Sequence, residues 1–280
     1  MDFVDYYSLN ISDEEFSLLQ DLIVQRTGIF INPAKRELLQ NRLRPLLQKR
    51  GLRSYGQYYQ WLIDEGDLQE IHELIQSITT NKTEFFRNEF QLEYFRGVVL
   101  PGFTEAMEKG ESRSIELWSA GCSSGEEPYS LAICILETVP TQLHKRFRLI
   151  ASDIDRQILE RAQEGIYPSR SLEKLPKNLS QAYFRPYGKN YRAEATLRTM
   201  VEFRELNLSD VSGWPLAGLD VVFCRNVLIY MRQDIKRAII KGFHRVLKPG
   251  GYLFLGHSET LHGIDAPLEY LEPSIYRKDE

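Results

Sequence analysis

The sequence predicts an α/β protein: a doubly wound, mostly parallel sheet with a small β-rich insertion, preceded by an all-helical amino-terminal domain. Three observations carry this. Apolar residues recur at helical spacing from Ser12 to about Thr80. After about residue 112, short β-rich runs alternate with amphipathic helices. Strand, turn and helix in repetition is the pattern of right-handed βαβ units, which build parallel sheets.

In the helical part, Ser12 and Glu15 form a capping box ahead of Phe16, Leu19, Leu22 and Ile23, and Gly28 stops that helix. Lys35 to Arg53 reads as an amphipathic helix that Pro45 should kink or divide. Tyr55–Ile63 and Leu68–Ile78 follow as two more helices, separated by Gly66 and Asp67. In the second part, strands are predicted at Ser114–Ser119, Phe147–Ser152, Asp220–Cys224 and Gly251–Leu255. Helices are predicted at Glu127–Glu137, Arg156–Gln163 and Gln233–Leu247. Between the second and third strands lies an insertion, about 166–201, marked by Pro168, Pro176, Pro186 and Gly188, with one alternating stretch at Ala195–Phe203. It is expected to have β-hairpin character.

Composition limits the function. The 280 residues are 42% hydrophobic and 26% charged, and a chain of this length buries about 75% of its unfolded surface. Lys+Arg number 35 against 39 Asp+Glu, a balance that argues against a dedicated nucleic-acid binder, which needs basic residues to displace phosphate counterions. Apolar stretches such as Pro128–Leu136 are about half the ~20 residues a spanning helix requires. The start, with Asp2 and Asp5, lacks the basic region of a signal peptide. A cytoplasmic protein without membrane insertion is therefore expected. The three cysteines, Cys122, Cys134 and Cys224, have no metal-ligand spacing and are read as reduced, buried thiols.

The net charge of −4 hides a local excess, because Lys35, Arg36, Arg42, Arg44, Lys49, Arg50 and Arg53 face only Glu37 within their segment. Such a run is either a solvated face or a docking face for an acidic partner.

Ligands of doubly wound sheets bind beyond the carboxyl ends of the strands, at the switch point. After the first strand comes Gly121-Cys122-Ser123-Ser124-Gly125-Glu126-Glu127. It lacks the G-x-G-x-x-G of a dinucleotide site and puts two carboxylates where a pyrophosphate would have to lie. Acid at a helix start complements the helix dipole, or receives a cation such as the ammonium or sulfonium of S-adenosylmethionine. After the second strand, Asp153 is placed to accept from ribose hydroxyls, and Asp155 to cap the following helix. After the third come Arg225-Asn226-Val227-Leu228-Ile229-Tyr230, polar groups expected to face the cleft.

Together with Thr79-Thr80-Asn81-Lys82-Thr83-Glu84-Phe85-Phe86-Arg87, the runs GEEPYS (Gly125–Ser130), ASDID (Ala151–Asp155), FCRNVLIY (Phe223–Tyr230), LKPGG and GHSE (Gly256–Glu259) resemble, in order and over nearly the whole chain, the CheR-type chemotaxis receptor methyltransferases. The resemblance implies a class I S-adenosylmethionine-dependent methyltransferase with a Rossmann-like sheet. The activity it implies is methyl transfer to glutamate side-chain carboxylates of chemoreceptors, as a protein-glutamate O-methyltransferase that leaves S-adenosylhomocysteine. It implies a receptor-docking domain over 1–80, a junction and linker helix over 81–111, and a methyltransferase domain over 112–280. Asn81, Thr83 and Arg87 would close over the cofactor. Glu127, or Glu126, since spacing does not choose, would hold the amino end of its methionine portion, and Asp153 the ribose. Asn207 and Leu208 would lie along the adenine, and Asn226 and Val227 would line the cleft. Arg87 and Tyr230 would position the substrate carboxylate. No general base and no metal is needed, because a glutamate with a pKa of about 4.3 is already ionised at neutral pH. The basic segment becomes the docking face for an acidic receptor bundle.

The hairpin stretch Arg185-Pro186-Tyr187-Gly188-Lys189-Asn190-Tyr191 has one glycine where some family members grip a receptor tail peptide with a glycine-rich loop. Independence from such a tail is therefore expected, as is a monomer. A non-catalytic S-adenosylmethionine-binding sensor or adaptor, or an O-methyltransferase of another substrate, stands as the alternative.

Overall fold

The structure, a computed structural model, describes residues 5–111 and 114–279; Asp2 and the expected domain boundary at 112 lie outside the described residues. The chain divides into two compact units. One runs to Thr80 and includes Tyr230–Ile235; the other holds Asn81–Ile229 and the chain from Lys236 on.

The first unit contains α1 (Asp13–Thr27), α2 (Arg36–Arg50), α3 (Tyr55–Asp64) and α4 (Leu68–Ile78). The capping box is present in both halves, with Glu15 N donating to Ser12 Oγ (3.1 Å) and Ser12 N to Glu15 Oε2 (2.9 Å). Gly28 ends α1 in the left-handed region at φ 75°, which a residue without Cβ adopts freely. Leu19, Ile23, Leu39, Leu43, Leu47, Tyr55, Tyr58 and Leu74 are fully buried and form the core of this unit.

Two expectations change here. Pro45 lies inside α2, which runs undivided from Arg36 to Arg50. Proline removes the donor to Asn41 O, and both residues are exposed, so water can take that carbonyl. The basic face is also largely engaged within its own unit. Arg36 pairs with Asp13 and lies over the Phe16 ring. Arg42 donates to the carbonyls of Ile78 and Thr79 and to Thr80 Oγ1, which closes the carboxyl end of α4. Arg44 stands over Tyr7 at 5.1 Å. Lys49 and Arg50 share Glu73 at 2.5 and 2.9 Å, and Arg50 also pairs with Glu70 and lies 4.4 Å over Trp61. Of the seven cations, Lys35, Lys49 and Arg53 are exposed. Amphipathic spacing could not show that the others bridge helices.

The second unit opens with α5 (Glu89–Tyr94), a π turn (Phe95–Val99) and α6 (Leu100–Glu108). Its main sheet holds β1 (Ile115–Ala120), β2 (Phe147–Asp153), β6 (Val201–Glu205), β7 (Leu219–Cys224), β8 (Leu247–Leu255), β9 (Leu268–Glu272) and β10 (Ile275–Lys278). The order is β6-β2-β1-β7-β8-β10-β9. The first five are parallel to one another, and β10 is antiparallel to both β8 and β9. Helices α7 (Glu126–Thr138), α8 (Arg156–Glu164) and α11 (Gln233–Val246) connect the parallel strands. Sequence order reverses between β1 and β7, so the crevice beyond their carboxyl ends is the binding position.

The insertion contains β3 (Ile166–Pro168), α9 (Lys177–Tyr183), β4 (Phe184–Tyr187), β5 (Asn190–Ala193) and α10 (Ala195–Met200), with a separate sheet ordered β3-β5-β4. The expected hairpin character is present in β4 and β5, whereas the alternating stretch at Ala195–Phe203 divides: its first six residues form α10, and from Val201 it enters the main sheet as β6.

The sheet core is apolar and rich in aromatics. Phe223 stacks on Phe254 at 4.2 Å. Trp118 meets Trp214 and Phe243 edge-on at 5.0 and 5.5 Å, and its Nε1 donates to Ser152 Oγ (2.9 Å). All three cysteines are free and buried.

Candidate active site at the carboxyl ends of the strands

The turn after β1 is folded back on β2, with the N–H groups of Gly121 and Cys122 both donating to Ser152 O (2.8 and 2.9 Å). Gly121 sits at φ 77°, and a Cβ there would come 2.4 Å from Val227 Cγ2. Glycine is therefore what lets this turn and the loop after β7 approach each other. Gly125, at φ 92°, starts α7.

The two acids that sequence spacing could not separate have different surroundings. Glu126 accepts from Ser124 Oγ (2.6 Å) and is turned back into its own turn. Glu127 accepts from Ser119 Oγ of β1 (2.7 Å) and faces Arg225 Nη1 at 3.3 Å. Burial raises the pKa of both carboxyls; for Glu127, Arg225 is the largest opposing influence. Arg225 is itself buried and also donates to Arg87 O, so one guanidinium ties the loop after β7 to the start of α7 and to the junction.

Asp153, at the end of β2, is buried. Its Oδ2 accepts from Ser123 N (2.8 Å) and its Oδ1 from Asp155 N (3.0 Å). An ionised carboxylate offers about four acceptor positions, so acceptor capacity remains for hydroxyls. Burial pushes its pKa up to about 6 against the pull of these two N–H groups. Asp155 caps α8 as expected, accepting from Gln157 N and Ile158 N.

The other predicted residues are distributed around this centre. Asn81 donates to Asp155 Oδ2 (3.0 Å), and its carbonyl accepts from Ser123 Oγ (3.2 Å). Thr83 is half-buried on the same junction. Arg87 donates to Lys82 O (3.1 Å), and its charge acts on Glu127. Phe85 anchors the junction edge-on against Tyr167 and Phe184. Leu206 N donates to Asp153 O (3.0 Å), which brings Asn207 and the buried Leu208 to the end of β2. Asn226 takes a left-handed conformation at φ 60°. Tyr230 groups with the helical unit, where its carbonyl accepts from Phe30 N (2.7 Å).

Sequence reasoning did not single out Glu259 or assign a role to Arg225 or Ser119. Glu259 is 1% exposed and accepts from the backbone N–H groups of Asn226, Val227, Ile229 and Gly256. The cue available in sequence was its spacing in GHSE, three residues after a glycine.

A parallel sheet with an antiparallel carboxyl-terminal hairpin, an acid-headed helix after β1 and an acid ending β2 define a class I S-adenosylmethionine-dependent methyltransferase. The residues fit that cofactor: acids at a helix start suit its cationic end, an acid after β2 suits its ribose, and Gly121 leaves room at the turn. The chain belongs to the CheR methyltransferase family, since residues 14–79 match its all-alpha domain and residues 81–276 its SAM binding domain. It is 34% identical to a chemotaxis protein methyltransferase of Borreliella burgdorferi, covering 97% of this chain and 96% of that one. It is 36% identical to chemotaxis protein methyltransferase 2 of Vibrio cholerae (91% and 88%) and 35% identical to the chemotaxis protein methyltransferase of Escherichia coli (96% and 92%).

Proposed function

We propose that this chain transfers the methyl group of S-adenosylmethionine to glutamate side-chain carboxylates on the cytoplasmic helical bundle of chemoreceptors, forming methyl esters. The supporting observation is a pair of carboxylates beyond the adjacent strands β1 and β2: half-buried Glu127 in the first turn of α7, held by Ser119 of β1, and buried Asp153 at the end of β2. When bound, S-adenosylmethionine supplies an electrophilic sulfonium methyl. Glu127 holds the ammonium end, because Arg225 and Ser119 fix its carboxylate at the strand end, whereas Glu126 is occupied with Ser124. Asp153 takes the ribose hydroxyls, Leu208 and Asn207 flank the adenine, and Asn81 and Thr83 close the junction. The attacking glutamate arrives ionised, so catalysis consists of orientation and exclusion of water. Arg87 orients the attacking carboxylate.

Two surface readings accompany this one. Residues 1–80 form the receptor-docking domain, with Lys35, Lys49 and Arg53 as the exposed cations of its basic segment. Receptor tail peptides are not required. A tail adding as a strand to β4, one of the two edges of the β3-β5-β4 sheet, would meet a poor template. Gly188 and Lys189 make a two-residue hairpin closed by Tyr187 and Asn190. The closing pair of such a hairpin is the hydrogen-bonded one, so the next residue, Pro186, turns its nitrogen outward with no donor to offer.

The test is transfer of labelled methyl from S-adenosylmethionine to a chemoreceptor cytoplasmic fragment. Base-labile incorporation is expected. Binding of S-adenosylmethionine without transfer would identify a sensor or adaptor, and micromolar binding of an isolated receptor tail peptide would overturn tail independence.

A further inference from the structure

Glu259 lies in none of the groups assigned above, yet it organises the loop that carries several of them. Its Oε2 accepts from Gly256 N (2.5 Å) and Asn226 N (2.8 Å), and its Oε1 from Val227 N (3.0 Å) and Ile229 N (3.2 Å). Four main-chain donors converge on one carboxylate from two loops, those following β7 and β8. Two further features agree with that arrangement. Asn226 is held in the left-handed region at φ 60°, a conformation that costs a non-glycine residue about 1–3 kcal/mol unless its surroundings impose it. Gly256 leaves the space the carboxylate occupies, since a Cβ there would lie 2.4 Å from Glu259 Oε2 and 2.7 Å from Asn226 N.

We propose that Glu259 is a positioning residue for methyl transfer: its carboxylate fixes the backbone of Asn226–Ile229, setting both the cofactor-lining residues Asn226 and Val227 and the point from which the chain continues into Tyr230. The proposal rests on the functional reading above. No proton moves to or from Glu259 in the reaction; it acts through the loop. A neutral amide cannot replace it, because the –NH₂ of glutamine would confront two N–H donors with a third.

The experiment compares the full-length chain with Glu259→Gln and Gly256→Ala. Gly256 is not at positive φ, so alanine there leaves its own turn unstrained while its Cβ presses on both the Glu259 carboxylate and the Asn226 N–H that the carboxylate accepts from. Each protein is measured by calorimetric binding of S-adenosylhomocysteine, by kcat for receptor-fragment methylation and by Tm. Phe243→Leu, in the Trp118–Trp214 cluster, serves as a control that lowers Tm by loosened packing. Both loop variants are expected to weaken S-adenosylhomocysteine binding about tenfold, the scale set by leaving buried donors unpaired, and to lower kcat at temperatures well below their Tm. The control should lower Tm alone. Variants that melt earlier but bind within twofold of the unsubstituted chain and turn over at its rate would overturn the proposal. Should Glu259→Gln not fold, Gly256→Ala decides by the same two readings. If the unsubstituted chain binds S-adenosylhomocysteine but leaves the receptor fragment unmethylated, the receptor assignment falls while the binding arm still judges Glu259.

Discussion

Charged side chains serve different ends in the two units. In the helical unit, Arg36, Arg42, Lys49 and Arg50 join one helix to another near the surface, and Glu73 is shared by two cations. At the strand ends, Arg225, Asp153 and Glu259 are sequestered from water with Glu127 half-buried beside them, and each holds backbone groups, a neighbouring side chain or both. Losing one partner near the surface lets solvent replace it, whereas losing one in the interior strands the other. Charges in the helical unit are therefore partly interchangeable, and those at the strand ends are not.

That contrast can be broken by experiment. The largest effect is expected for Arg225→Met, which removes the ion-pair partner of half-buried Glu127 and should lower stability by about 3 kcal/mol in chemical denaturation. S-adenosylhomocysteine binding should be lost with it. Arg87→Ala should fold normally yet reduce receptor methylation about a hundredfold, equivalent to ~2.7 kcal/mol of transition-state positioning; undiminished methylation would remove Arg87 from that role. Asp153 gives a pH signature. With its pKa at about 6, cofactor affinity should fall about tenfold between pH 7 and pH 5 as the acceptor protonates. Its effect on stability has the opposite sign. The folded value lies above the ~3.9 of an unfolded chain, so the folded state binds the extra proton, and this group's contribution to stability rises as pH falls from about 6 towards 4. Calorimetric titration and denaturation across that range should diverge.

On the helical side, Arg42→Ala should cost about 1 kcal/mol, because it uncaps the carboxyl end of α4. Lys49→Ala should change stability by no more than ~0.5 kcal/mol, since Arg50 keeps Glu73 paired. If Lys49→Ala proved as damaging as Arg225→Met, the contrast between the units would fail.

How much was legible in the sequence follows the same division between interior and edge. The central strands β1, β2 and β7 read as runs of apolar residues because the sheet buries both their faces. Strand β6, with Glu202 and Arg204 alternating with Val201 and Phe203, read as the tail of the insertion because an edge strand is half exposed. The β9–β10 hairpin carries Glu269, Glu272, Arg277 and Lys278 and gave no strand signal, because β9 is the opposite edge and β10 beside it is only half buried. At the site, the motifs fixed which residues gather at the strand ends. They could not separate Glu126 from Glu127, because adjacent helix positions point in different directions and only the partners Ser124, Ser119 and Arg225 distinguish them. Glu259 escaped because an acid that accepts only backbone N–H groups has no side-chain partner to leave a pattern. The basic segment misled in the opposite way: its composition was plain, but its partners, a helix terminus and two acids on α4, are remote in sequence.

The aromatic cluster around Trp118 makes the two units optically separable. The chain has three tryptophans; Trp118 and Trp214 are buried together in the sheet unit, and Trp61 is half-buried beneath Arg50 in the helical one. Ultraviolet emission from the buried pair should be shifted to shorter wavelength and shielded from aqueous quenchers. Trp61 should emit further to the red and quench readily. A Trp61→Phe chain would then report unfolding of the methyltransferase unit alone, and the difference from the unsubstituted chain would report the helical unit without any added label.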